Sequence, residues 1–337
     1  MKLDSDTLYR AKGIGILLMV IGHSLLPTSE IHRFIYLFHM PLFYILSGML
    51  FKTKHIKNAF QFIKRKLKTL YLPFLKYSLV FLLLHNIFFK TGLIVGEEYS
   101  LKLFLSNLFL NLRFVGTEEL CGALWFLRSL FFVNIIFVLL WRILQIVLKC
   151  DIQICISIFL LTLIGGCILN YSTIILPYNL GRDIFCVSLF TLGYLFRNLP
   201  QKINYESVWI IPLFVFLIIL NNHTEIQLHN FNIGNPILSL LAMIAGWLLV
   251  LILSSLFTFK TLIYIGKHTV DVLVYHFLAF KIVTLVIIKL YALDSVELNS
   301  FPVLYTYPNW WILYSLVGII IPLLINAFFR KLFVNHA

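Results

Sequence analysis

Charge is what this chain has least of. Only 12% of its 337 residues are Asp, Glu, Lys or Arg, while 61% are hydrophobic. A soluble protein of this size is roughly half apolar and about a quarter charged. That deficit excludes an ordinary water-facing surface and also excludes a disordered chain. Acidic residues are the scarcer kind, 14 against 27 Lys and Arg, for a formal net charge of +13. Cysteine is limited to Cys121, Cys150, Cys155, Cys167 and Cys186, with no CxxC pair. They read as small buried hydrophobes, and neither a disulfide framework nor a metal site is expected. The first apolar run has no Ala-x-Ala cleavage pattern and leads directly into a second run, so it is expected to stay in the membrane. Ser/Gly linkers, internal repeats and low-complexity tracts are also missing, which leaves residues 1–337 as one membrane domain.

What is present is apolar length. Windows such as Ile152–Leu169 and Asn232–Phe257 reach the roughly 17–25 residues that a spanning helix needs. The pattern predicts an all-α, polytopic transmembrane bundle of about ten spans. These fall near 12–27, 34–51, 71–89, 122–141, 152–169, 182–196, 207–220, 235–257, 261–283 and 309–329. Leu101–Leu112 is apolar but short, and reads as an interfacial or re-entrant piece.

The cations fall where an N-in topology puts them. With both termini cytoplasmic, the inner segments hold Lys2, Arg10 and Lys12, then seven Lys/Arg from Lys52 to Lys68, and further cations including Arg142, Lys149, Arg197, Lys202, Lys260, Lys267, Arg330 and Lys331. The outer segments hold far fewer, and the loop before the fourth span is the weakest fit. Positive-inside bias therefore accounts for the net charge, and no nucleic-acid partner is expected.

The first two spans concentrate the chemistry. In "RAKGIGILLMVIGHSLLP", Lys12 and His23 are eleven residues apart, about 20° past three full turns, so they share a face about 16 Å apart along the axis. Gly13, Gly15 and Gly22 allow close approach of a neighbour. In "FIYLFHMPLFYILSGML", His39 reaches the depth of His23 on an antiparallel helix, and Pro41 is expected to kink that helix and free carbonyls near a shared pocket. Intramembrane ionisable groups lean towards function, and histidine suits proton abstraction from a hydroxyl.

Further along, Trp125 and Arg128 share a face in "LWFLRSL", with Glu118 and Glu119 as candidate partners for the guanidinium. Lys267 and Asp271 are spaced to pair on one helix, His276 lies on the adjoining face, and Lys281 is expected to snorkel outward. Asn-, Glu-, Tyr- and Trp-rich outer loops such as "NNHTEIQLHNFNIGNP" suit hydroxyl-rich ligands.

"KGIGILLMVIGHS", "FHMPLFYILSGMLF", "FIKRKLKTLYLPF", "GALWFLRSLF" and "YIGKHTVDVLVYHFL", in this order, resemble the acyltransferase-3 membrane O-acetyltransferase family, within it the fucose O-acetylase subgroup. The resemblance implies acetyl-CoA as a cytoplasmic donor. The acceptor it implies is a sugar hydroxyl of a surface polysaccharide or of its lipid-linked precursor. It maps the family's histidine onto His23 and its basic position, more often arginine, onto Lys12.

On this reading His23 and His39 are catalytic, Arg10, Lys12, Arg65 and Lys68 meet the donor, and Trp125, Arg128 and His276 meet the acceptor. No metal is expected, and the expected location is the inner membrane of a bacterial cell, as a multi-pass protein. A transporter, or a polysaccharide flippase or polymerase, shares the composition. Against a transporter stands the lack of an inverted repeat or paired broken helices. A flippase or polymerase would not need the Lys12–His23 stripe.

Overall fold

The computed structural model describes residues 4–198 and 207–334, and every extended element among them is helical. Lys2 and Lys202, used in the topology argument, lie outside the described residues. Local signals set several boundaries. Asp4 caps α1 (Ser5–Ser24) by accepting from the Thr7 amide at 2.7 Å. The Ser29 hydroxyl does the same for α2 (Glu30–Tyr36).

The chain then breaks at Leu37 and Phe38 before α3 (His39–Met49). Pro41 explains the break, because its ring would collide with the carbonyl of Leu37 in a continuous helix. At the break the Ile35 carbonyl accepts from the Phe38 amide at 3.3 Å and also from His39 Nδ1 at 3.0 Å.

The basic segment follows as α4 (Lys54–Lys57) and α5 (Ala59–Lys66). It passes through a π turn at Leu67–Tyr71 into α6 (Leu72–Lys90). Next come α7 (Leu101–Leu112), α8 (Trp125–Leu144), α9 (Asp151–Tyr171), α10 (Leu180–Asn198) and α11 (Ile210–Asn221). The last four are α12 (Pro236–Leu256), α13 (Lys260–Lys267), α14 (Thr269–Tyr291) and α15 (Trp311–Val334).

Among the described residues, six helical segments are long and apolar enough to cross a membrane: Ala59–Lys90, Glu119–Leu144, Asp151–Tyr171, Pro236–Leu256, Thr269–Tyr291 and Pro308–Phe328. The segment read as one span over 261–283 is two helices that part at His268, so α14 starts and ends later than expected. The Lys267–Asp271 pair consequently does not form. Lys267 lies over the Tyr9 ring at 5.3 Å, and Asp271 instead accepts from His268 at 3.2 Å and from the Tyr77 hydroxyl at 3.4 Å.

The outward faces are apolar in strict i, i+4 stripes. Ile152, Ile156, Leu160, Ile164 and Ile168 are exposed on α9, and Ile312, Leu316, Ile320, Leu324 and Phe328 on α15. Exposed apolar surface on that scale needs a nonaqueous solvent.

Helix α1 is central, packed against α2, α3, α12, α13, α14 and α15. Glycines let the backbones meet. A Cβ at Gly193 of α10 would overlap the carbonyl of Ile45 on α3, and one at Gly48 would overlap the carbonyl of Phe190. Gly193→Ala should therefore cost about 1–3 kcal/mol through overpacking, read as a lowered melting temperature of the detergent-purified protein. An unchanged melt would show that the contact gives way freely.

Candidate active site

Two cavities lie back to back on the same helices. One, of about 310 Å³, is lined by Lys12, Ser47, His55, Arg65 and Lys66, with Phe43, Phe126, Thr269 and Val270 among its apolar and small neighbours. The other, of about 410 Å³, is lined by His23, His32, His39, Glu119, Trp125 and His229, together with Met19, Met40, Leu273 and Phe277. Helices α1, α3, α8 and α14 face both cavities. Along α3 the change from one cavity to the other falls between Met40 and Phe43, and along α14 between Leu273 and Val270. Three helical residues rise about 4.5 Å, whereas along α1 the nearest lining residues, Lys12 and Met19, are seven apart, a rise of about 10.5 Å. The sequence asks for a single channel from Lys12 to His23; in the structure Lys12 lines one cavity and His23 the other.

The histidine cavity is organised by hydrogen bonds that fix tautomers. Buried His276 directs Nδ1 at the carbonyls of Val272 and Leu273, each 3.0 Å away. Carbonyl oxygens only accept, so Nδ1 carries the hydrogen, and in the neutral ring Nε2 holds the lone pair. His23 Nδ1 lies 2.9 Å from that Nε2 and must donate to it. The His23 lone pair is left on Nε2, the nitrogen a general base needs. The His23 ring is held in addition by Phe277, stacked at 5.0 Å between centroids. His276 thus stands behind His23 and is not among the residues lining the cavity, which differs from the acceptor contact expected of it.

His39 and His32 follow the same logic. His32 Nδ1 donates to the Gly22 carbonyl at 3.0 Å, as His39 Nδ1 does to Ile35. Tyr36 is stacked on His32 at 3.9 Å and lies 4.6 Å from His39. His229, on the loop before α12, is held below the usual imidazole range by burial, with Asn230 opposing and Arg182 adding to the effect.

Trp125 lines this cavity; the Arg182 guanidinium lies over its ring, 4.4 Å from the centroid, and the His229 ring meets it edge-on at 5.6 Å. Arg128 does not reach the cavity. It donates to Asp183 at 3.1 Å and to the Tyr178 carbonyl. Asp183, fully buried, also accepts from Arg182 and Ser129. Neither glutamate partners Arg128: Glu118 binds His85 at 2.8 Å, and Glu119 faces the cavity. A buried cation takes the acceptor that its own bundle supplies, and Asp183 on α10 could not be read from spacing along α8. Lys281 is likewise turned inward, donating to the carbonyls of Leu298 and Ser300.

In the basic cavity Lys12 and Arg65 come together as expected, whereas Arg10 and Lys68 stay out. Arg10 Nε donates to the Ser254 carbonyl at 2.6 Å, tying α1 to α12. Lys68 falls in the π turn, whose extra residue per turn resets the register, and it is exposed. Lys66 takes its place. Burial, and then the surrounding Arg65, Lys54, Lys66 and Lys52 cations, hold His55 below the usual imidazole range. Lys66, His55, Tyr36 and His32 were not singled out from sequence, and Glu119 was read only as a partner for Arg128. For Lys66 a signal existed: it stands four residues after buried Phe62, on the inward face of α5.

Helices with lipid-facing stripes and two cavities lined by ionisable side chains describe a multi-pass membrane protein with a site within its helix bundle. The chain belongs to the acyltransferase domain family Acyl_transf_3, whose profile matches residues 9–327. No curated protein and no solved structure gives a match.

Proposed function

We propose that this protein is an O-acetyltransferase of a bacterial inner membrane. It moves an acetyl group from cytoplasmic acetyl-CoA to a sugar hydroxyl of a surface polysaccharide or of its lipid-linked precursor. The observation that carries the reading is the pairing of the two cavities. A pocket with Lys12, Arg65 and Lys66 suits the phosphates of a coenzyme, and a second pocket on the same helices offers an imidazole with its Nε2 lone pair free. The axial distance from Lys12 to His23, about 16 Å, matches the reach of a pantetheine arm.

In the reaction, the acceptor hydroxyl gives its proton to His23 Nε2 as its oxygen attacks the thioester carbonyl. The C–S bond then breaks, and the imidazolium returns the proton to the departing thiolate. His39 orients the acceptor, and Trp125 offers an aromatic face to the sugar ring. An acetyl-imidazole intermediate on His23 is the alternative route to the same products.

The test is transfer of radiolabelled acetyl from acetyl-CoA by the purified protein, with and without a glycan acceptor. Label entering the glycan supports the reading. Donor untouched in the presence of acceptor would overturn it in favour of a transporter or flippase. A companion measurement separates the cations. Arg65→Ala and Lys66→Ala should each raise the donor KM about tenfold with kcat little changed, as loss of a charge-assisted phosphate contact predicts, while Lys68→Ala should leave it within about twofold. Equal effects of Lys66 and Lys68 would refute the placement of the donor.

A further inference from the structure

The histidine cavity is mostly apolar; its polar lining combines imidazoles and one carboxylate with the Tyr36 and Tyr305 hydroxyls, the Trp125 indole N–H and the Asn230 amide, and it carries a negative group but no fixed positive one. Among the described residues that line it there is no lysine and no arginine. The cations nearby are already engaged by the protein: Arg182 and Arg128 by Asp183, and Lys281 by the Leu298 and Ser300 carbonyls. Arg182 lies against Trp125, and its Nη1 donates to the His229 carbonyl at 3.2 Å. His32 and His39 present Nε2 lone pairs, because each ring spends its Nδ1 hydrogen on a backbone carbonyl. The side-chain amide of Gln227 donates to Glu225 at 2.5 Å.

Glu119 completes the set. Its carboxylate lines this cavity and makes no side-chain hydrogen bond or close ion pair among the described residues; Lys281 acts on it only at longer range, while its ammonium is bonded to carbonyls. A carboxylate and imidazole lone pairs around an aromatic face bind groups that donate, such as vicinal hydroxyls, and repel anions.

We propose that the acceptor unit seated in this cavity is an electrically neutral sugar, bearing no carboxylate, phosphate or sulfate, and that Glu119 enforces the choice. The proposal rests on the reading of this cavity as a glycan site. It narrows the substrate class by exclusion of like charge, a repulsive element rather than an added contact. Ring hydroxyls donate to Glu119 and to the free imidazole nitrogens, while the apolar sugar face lies on Trp125. Polymers with acidic units would be served only where a neutral residue enters the pocket.

The experiment is equilibrium binding to the full chain in nanodiscs, without donor. The probes are a neutral trisaccharide and its counterpart oxidised at one C6 to a uronate. The wild type should bind the neutral sugar about tenfold more tightly at low salt, and the preference should shrink as salt screens the repulsion. Glu119→Gln, nearly isosteric, should bring the two affinities within about threefold by strengthening the uronate, with the neutral sugar still bound. Equal or tighter binding of the uronate by the wild type overturns the proposal, as does a preference that persists in Glu119→Gln. Failure of both sugars to bind overturns the glycan reading of the cavity. Sugar that binds with the predicted preference but takes no label from acetyl-CoA overturns the enzymatic reading and leaves this inference standing.

Discussion

Replacing His23 by alanine is expected to lower kcat for acetyl transfer by about 10²- to 10⁴-fold, the contribution of a positioned general base, or to abolish transfer if His23 also carries the acetyl group. The protein should still fold, because the His23 ring lines a cavity and its loss removes only the bond to His276 and the stack on Phe277. Binding of the donor should persist, since the cations that would hold it line the other cavity. The measurement is therefore paired: labelled transfer to glycan, and donor affinity by competition, on the same preparation. Full activity with intact donor binding would remove His23 from the mechanism. Loss of both together would point to a collapsed fold instead.

The second large effect is expected at a residue that does not line the cavity. His276→Phe keeps an aromatic ring of similar volume in a fully buried position but removes the acceptor for the His23 Nδ1 hydrogen. His23 is then free to place its hydrogen on either nitrogen and to turn away from the productive orientation. Removal of an orienting group of this kind costs up to about 10⁴ in a serine protease triad. Here the orienting group is a neutral imidazole rather than a carboxylate, so a fall of about 10² in kcat is the expectation, with donor KM unchanged. A packing defect alone would lower the melting temperature without shifting the pH profile. A positioning role predicts in addition that the acid limb of the kcat profile moves, because the partner of the titrating ring has changed. An unaltered profile with normal kcat would refute the assignment.

The two variants also illustrate different degrees of legibility. His23 was accessible from spacing alone, because eleven helical residues bring it onto the face of Lys12. The break before α3 followed from Pro41, and the shared pocket of His23 and His39 from matched depth on antiparallel helices. Each of these inferences uses one segment, or two segments joined by a short turn. Arg65 and Lys66 show where the method weakens. The concentration of cations between Lys52 and Lys68 was plain, but the choice among them depended on a π turn that no pattern announces. Arg10 shows the same limit: its partner is a carbonyl of α12, far along the chain, and a carbonyl leaves no trace in sequence.

By itself, then, the sequence determined the solvent, the helical class, the position of the first histidine and the basic character of one end of the molecule. Composition and helical periodicity are local quantities, and the bilayer acts on them directly. Only the tertiary structure decided that His276 backs His23, that Asp183 neutralises Arg128, that Glu119 is left without a hydrogen bond, and that Lys12 and His23 line two different cavities. These are relations between helices brought together by packing, and each depends on which buried group finds a partner first. A hydrogen bond across a bundle is a property of two surfaces meeting, and the order of residues along either helix carries only half of it.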